Sequence, residues 1–568
     1  MSDPKRIVVI GGLAAGPKAA ARARRLDQTA EIIILQKESD LSMASCGYPY
    51  YVGGVFDDRN HMLSTPAGVV RDSQFFHNVK RIDARVNTEA IAIDKENKIV
   101  TYKDLKTDEV GELKYDKLII TTGSVPRMAP IPGIKLEGVR TLQSMKDSDY
   151  LRAICDEMEL ENAVIVGGGL IGLETCEALR SSDIKVTIIE LLPQILTFLD
   201  WELAKIIENH LVDKSCRVIT ECGVTEFLGL DGKLTGVKLQ DGTEIDCELA
   251  VVAIGVVPNS KLARDAGLKV GAMGGIEVNE YMQTSDPDIY AAGDCVETTS
   301  IITGKKTYAP FGDLANLQGR VAGENVISGN RAAFPGTIHS GICKIFDFSA
   351  GSTGFSERIA RKMGYDNIIT AVNASPDKPG FMRAGTLVTK AVVDKSSGRI
   401  LGAQCIGTGD VCKQLAQWAL AIQGNMTIAD LINVDLPYAP PFSLAIDHFI
   451  TVIHILQNKL EGRMTGISPV EVQRKLDAKE QPFLLDVRDD NEFKNSAIGI
   501  GEHSIPLGTL RDRLNELPED RDQEIICCCA LGLRGYETTL ILRAKGWTDV
   551  KVMEGGVLAW PYIHLPRP

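Results

Sequence analysis

Short runs of consecutive apolar residues, bounded by glycine or polar positions, set the pattern of the first half of this chain. Arg6-Ile7-Val8-Val9-Ile10, Glu31 to Leu35, Leu118 to Ile120, Ala163 to Val166 and Lys185 to Ile189 show little alternation. Such runs read as strands covered on both faces of a parallel sheet. An alanine-rich helical stretch through Arg25 follows the first run, and a second helix follows Ala163 to Val166. Strand, glycine turn, helix and strand in succession predict a doubly wound α/β class. Ile7 to Gly12 is too short for a signal peptide and runs straight into glycines, and no stretch is long enough to span a bilayer.

The two turns differ in quality. Gly11-Gly12-Leu13-Ala14-Ala15-Gly16 departs from Gly-x-Gly-x-x-Gly at Leu13, and the strand after it ends in Gln36 where a ribose-gripping acid is usual. An amide still hydrogen-bonds a hydroxyl. In the second turn, Gly167-Gly168-Gly169-Leu170-Ile171-Gly172, all three fingerprint glycines are present. Glu190 lies 23 residues after Gly167, where a carboxylate accepts from the adenosine 2′-hydroxyl and repels a 2′-phosphate, which favours NADH over NADPH. Two such folds predict two bound dinucleotides.

At 568 residues the chain should divide into three or four domains. Its net charge of -13 argues against a nucleic-acid partner. The 13 cysteines are scattered without zinc-type pairing, so no metal site is expected, and reduced thiols point to the cytoplasm. Cys155, Cys176, Cys216, Cys222, Cys247, Cys295, Cys343, Cys405 and Cys412 read as packing residues.

Cys46 stands apart. It precedes a short helical run in which Pro49 suits the first turn, and a thiol at a helix N-terminus is expected to gain thiolate character. The next cysteine is Cys155, so oxidised Cys46 has no local resolving partner and ends as a mixed disulfide, a persulfide or a sulfenic acid.

Gly11 to Arg25, Ser42 to Gly54, Gly167 to Gly172, Thr284 to Asp294 and Ala315 to Arg320 together resemble the single-cysteine subclass of the pyridine nucleotide disulfide oxidoreductases, which includes coenzyme A disulfide reductases, NADH oxidases and peroxidases. The resemblance implies an FAD domain (1–150 and 256–333), an NAD domain (151–255) and an interface domain (334–455) that makes a homodimer. It assigns Gly11, Gly12, Ala15, Gly16, Gln36, Thr122, Gly123, Asp294 and Ala315 to FAD. Gly167, Gly169, Gly172 and Glu190 go to NADH. Arg22 and Ser42 are assigned to substrate, Arg22 as a clamp for coenzyme A phosphates. Tyr438, in Leu436 to Ser443, is the candidate for reaching the partner subunit's active-site sulfur. The chain departs from this pattern at Ser45, at Phe381 and in a longer stretch from Ala67 to Arg85.

After a polar linker at 456–466, residues 467–568 resemble a rhodanese domain, with Cys529, Gly532 and Arg534 in its Cys-x-x-Gly-x-Arg loop and Glu554 to Trp560 near its end. A strand ending in cysteine, followed by a tight turn into a helix, aims backbone N–H groups at the sulfur. Arg534 adds charge for an anionic donor. Cys527 and Cys528 read as packing, with a resolving role for Cys528 as the other reading, and Asp486 and Arg488 read as structural. The fusion implies an NADH-dependent reductase of persulfides, polysulfides or coenzyme A disulfide. An NADH oxidase or peroxidase, or a non-enzymatic flavin redox sensor, are the alternatives.

Overall fold

The computed structural model describes residues 4–157 and 160–562. The chain forms two compact units, Met1–Leu191 with Cys222–Thr337, and Leu192–Glu221 with Ile338–Pro568. Both mix α and β structure, as expected.

In the first unit the apolar runs form parallel sheets. One has the order Ile289–Ala291, Lys117–Ile120, Arg6–Ile10, Glu31–Leu35, Asp83–Arg85, all neighbours parallel. Its central strands are almost wholly buried, which explains why they lack alternation. The second contains Lys185–Ile189, Asn162–Val166, Leu249–Val252 and Val139–Arg140, also parallel. Helix Ala15–Leu26 crosses helix Gly312–Ser328 at glycines: a Cβ on Gly319 would stand 2.4 Å from the Ala15 carbonyl oxygen, and one on Gly323 2.2 Å from that of Ala19. Side chains at either position would push the helices apart. This close crossing sets where the N-terminus of Gly312–Ser328 arrives.

The second unit holds an antiparallel sheet in the order Gly341–Ile345, Phe348–Gly354, Ile400–Gly407, Thr386–Asp394, Ile368–Pro376. Helices Val411–Gln423 and His448–Leu460 pack on it. Segment 192–221 joins this sheet through buried Lys390, which pairs with Asp200 (3.1 Å), Glu202 (2.5 Å) and Glu357 (2.9 Å). The C-terminal domain holds a parallel sheet in the order Gly466–Ile467, Val550–Met553, Ile525–Cys528, Phe483–Asp486, His503–Ser504.

Two expectations need correction. Residues 456–460 belong to helix His448–Leu460, so the connection begins at Glu461. Its polar look misleads because Lys459 reaches back to the Thr370 carbonyl (2.6 Å). Cys412 is exposed: on helix Val411–Gln423 the buried stripe is Val411, Gln414, Leu415 and Trp418, and Cys412 falls off it. The other ten cysteines read as packing, Cys527 and Cys528 among them, are buried.

Candidate active site

Cys46 lies on a 3-10 turn, Ser45–Gly47, just before helix Tyr48–Val52 with Pro49 in its first turn. That helix is only five residues long, and the sulfur faces a longer one. A Cβ on Gly312, the first residue of Gly312–Ser328, would sit 3.4 Å from Cys46 Sγ. Phe311 supplies no side-chain cap there, so first-turn N–H groups remain free to serve an anion beside the sulfur.

The expected gain in thiolate character is overturned. Packing of protein against the sulfur raises the Cys46 thiol above its ordinary range even though one side opens to solvent, and the charges of Glu174, Asp294 and Asp313 push it further. Glu174, from fingerprint helix Leu170–Arg180, accepts a hydrogen bond from Tyr50 Oη (3.2 Å), and burial pushes its carboxyl up to about 7. Sequence reasoning missed both residues, although each lies within five positions of a recognised motif.

The two glycine turns are built alike. Gly12 N–H donates to Gln36 Oε1 at 2.8 Å, and Gly168 N–H donates to Glu190 Oε2 at 2.8 Å. In each, the residue at the end of the following strand braces the middle of the turn. Gly11 has φ +104°, and a Cβ on Gly16 would lie 1.9 Å from the Gly11 carbonyl oxygen, so backbone approaches backbone where only glycine fits. Neither Ala14 nor Gly169 caps its helix with a side chain, and a Cβ on Gly169 would meet nothing within 4 Å. Two open helix N-termini with bare N–H groups fit two pyrophosphates.

The remaining cradle residues close around the first turn. Thr122 Oγ1 donates to the Asn259 carbonyl (2.5 Å), and Gly123 takes φ +68°. A Cβ on Gly293 would touch Ala15 and Ala315 at 3.2 and 3.5 Å, which puts half-buried Asp294 at the mouth of the turn. Burial raises the Asp294 carboxyl, opposed by Ser124 Oγ at 3.2 Å. Ser42 holds φ +53° and donates its N–H to the Gly12 carbonyl (2.8 Å). Arg22 is not a free cation: its guanidinium donates twice to Glu324 Oε2, at 3.0 and 2.6 Å. Among the described residues no group of three or more His, Cys, Asp or Glu is arranged to hold a metal.

In the second unit Cys529 is 1% exposed and accepts the Gly532 N–H at 3.1 Å, beneath the N-terminus of helix Leu533–Ala544. Gly532 has φ +117°, a turn that aims its N–H back at the sulfur. Cys527 and Cys529 pack in one core and Cys528 in another, on the opposite face of the sheet. The period of two along a strand thus turns Cys528 away from Cys529. Arg534 makes a two-point ion pair with Glu492 (2.6 and 2.7 Å), so an anionic donor meets a neutralised pair and not a bare charge. Asp486 and Arg488 form a buried fork, and Arg488 also reaches Ser496 Oγ at 2.7 Å, a structural arrangement. Tyr438 is 53% exposed, beside exposed Phe442 and Ile446 on the same segment.

Two brace-and-glycine cradles with one exposed cysteine beside them fit a flavoprotein that moves electrons from a pyridine nucleotide to sulfur. The chain belongs to the pyridine nucleotide-disulphide oxidoreductase family: the family's description matches residues 5–310, its dimerisation domain residues 341–449, and a rhodanese-like domain residues 468–561. FAD and a nicotinamide dinucleotide are the cofactors of this class. Over 98% of this chain and 100% of the other, it is similar to a NAD-dependent persulfide reductase from A. fulgidus, with 42% identity and a TM-score of 0.92. A CoA-dependent NAD(P)H sulfur oxidoreductase of Pyrococcus abyssi is 34% identical, covering 80% of this chain and 98% of its own length. An NADH oxidase of Methanocaldococcus jannaschii is 32% identical, covering 77% and 96%.

Proposed function

We propose that this protein reduces sulfur–sulfur bonds of persulfides, polysulfides or coenzyme A disulfide with NADH, and that Cys529 exchanges sulfane sulfur for the same substrates. The observation that carries the reading is the pairing, in one chain, of a lone thiol at the dinucleotide cradles with a thiol held in a backbone nest. The names of the A. fulgidus and P. abyssi relatives support the substrate class and the use of coenzyme A.

Cys46 thiolate attacks the inner sulfur of a persulfide R–S–SH, forming Cys46–S–S–R and releasing hydrosulfide; attack on the outer sulfur instead releases R–S⁻ and leaves Cys46 persulfide. The turns Gly11–Gly16 and Gly167–Gly172 would hold FAD and NADH, which would supply the two electrons needed to reduce the new S–S bond. The sum is R–S–SH + NADH + H⁺ → R–SH + H₂S + NAD⁺. Glu190 selects NADH over NADPH, and Tyr438 serves the partner subunit's thiol in a homodimer. Reduced, free cysteines suit the cytoplasm.

Anaerobic turnover tests this reading. Coenzyme A persulfide should consume NADH with one sulfide released per NADH, and coenzyme A disulfide should consume NADH with none. Cys46→Ser should lose both activities by about 100-fold or more. Cys529→Ser should keep disulfide reduction and lose turnover of sulfane-sulfur donors that must first pass their sulfur to coenzyme A. NADH consumption only after oxygen is admitted would establish the oxidase reading, which the M. jannaschii relative supports.

A further inference from the structure

The segment Glu554-Gly555-Gly556-Val557 lies behind the Cys529 loop, and its contacts reach in two directions. Toward the loop, Val557 N–H donates to the Cys529 carbonyl (2.9 Å) and Leu558 N–H to that of Ala530 (3.2 Å). A Cβ on Gly556, at φ +60°, would lie 2.3 Å from the Cys529 carbonyl oxygen. Toward the interface domain, Glu554 is 4% exposed and accepts the Val372 N–H at 2.9 Å. Val372 lies on Ile368–Pro376, the edge strand of the antiparallel sheet. Lys459 also donates to Glu554 and takes the Thr370 carbonyl at 2.6 Å. Carboxylate and ammonium together cap the open edge of that strand. Gly555, at φ +71°, fits against Val372, where a Cβ would stand 2.9 Å from Cγ1.

We infer that Glu554 is a positioning residue, locked to Lys459 and Val372, that fixes the sulfur-transfer loop on the dimerisation domain during coupled persulfide reduction. The inference rests on the proposed function for its kinetic consequence alone; the lock itself has a reading independent of activity. A buried carboxylate with an ammonium and an amide as donors resists release, because either partner left alone in the interior is strongly unfavourable. The loop backbone is therefore presented in one orientation. The sulfane sulfur then travels on a carrier thiol, while the rhodanese domain stays in place.

The test uses full-length holoenzyme carrying Glu554→Gln or Lys459→Met, the second outside the rhodanese domain. Trypsin cleavage after exposed Arg463, in the connection between the domains, should speed up by about fivefold or more if the lock holds that connection shut. Coupled persulfide turnover should fall about tenfold in kcat with KM for NADH unchanged, while coenzyme A disulfide reduction and thiosulfate-to-cyanide transfer at Cys529 stay within about threefold. Unchanged cleavage in both variants would overturn the lock, and equal loss of disulfide reduction would overturn its selectivity. If Cys529→Ser retains turnover of sulfane-sulfur donors that must first pass their sulfur to coenzyme A, the transfer step of the proposed function fails, and trypsin alone then judges the lock.

Discussion

At Cys46 the protein works against its own nucleophile. Burial and three carboxylates disfavour the thiolate, and the N-terminus of Gly312–Ser328 is the local feature that opposes them. Glu174 is the adjustable member, since its carboxyl titrates at about 7. Above that pH its charge raises the Cys46 thiol; below it, Glu174 is neutral and the repulsion is gone. Glu174→Gln should lower the Cys46 pKa, making iodoacetamide labelling of the Cys46 peptide about threefold or more faster at pH 8. Labelling no faster than in the parent protein would show that Glu174 does not act on the sulfur.

The two cradles solve one problem with different residues. Gln36 and Glu190 make the same 2.8 Å bond to the middle glycine of their turns, so an amide is sufficient for the brace. Charge at this position is therefore a matter of ligand choice and not of folding. Glu190→Gln should leave the fold and the Gly168 bond intact while removing the repulsion against a 2′-phosphate. The NADH-to-NADPH ratio of kcat/KM should fall by about tenfold, near 1.4 kcal/mol, measured by steady-state kinetics with both nucleotides. An unchanged ratio would place the selection elsewhere. Each acceptor was legible from its spacing, but its bond to the turn was not, because that bond forms only when the two strands lie side by side.

Over the whole molecule, buried polar networks tie stretches distant in sequence, and they set its response to acid. His448 is buried among Asn373 (3.2 Å), Ser375 (2.6 Å) and Thr389 (2.8 Å), and burial lowers its imidazole to about 4. A histidine depressed in the folded state contributes full stability above its unfolded value near 6.5 and loses it as pH falls through 4. The loss is of order 3 kcal/mol. Asp200 acts in the same direction: burial raises its carboxyl, but Lys390, Gln404 and two backbone amides outweigh this and hold it below the usual range. Urea midpoints should drop between pH 7 and pH 4.5, and His448→Gln should flatten part of that slope. A midpoint slope equal in the variant and the parent would remove His448 from the account.

The amino-acid sequence alone determined the parallel strands, the two glycine turns, the lone thiol and the Cys-x-x-Gly-x-Arg loop, because each depends on periodicity or on steric demands local to a few residues. Tertiary structure decided what faces those features. The helix at Cys46 is Gly312–Ser328, brought in by its glycine crossing with Ala15–Leu26, and the charges around the sulfur come from residues up to 267 positions away. Arg22 and Arg534 looked like free cations, and each proved paired with a glutamate distant in sequence. Electrostatic environment is a sum over neighbours in space, and the order of residues along the chain does not state who those neighbours are.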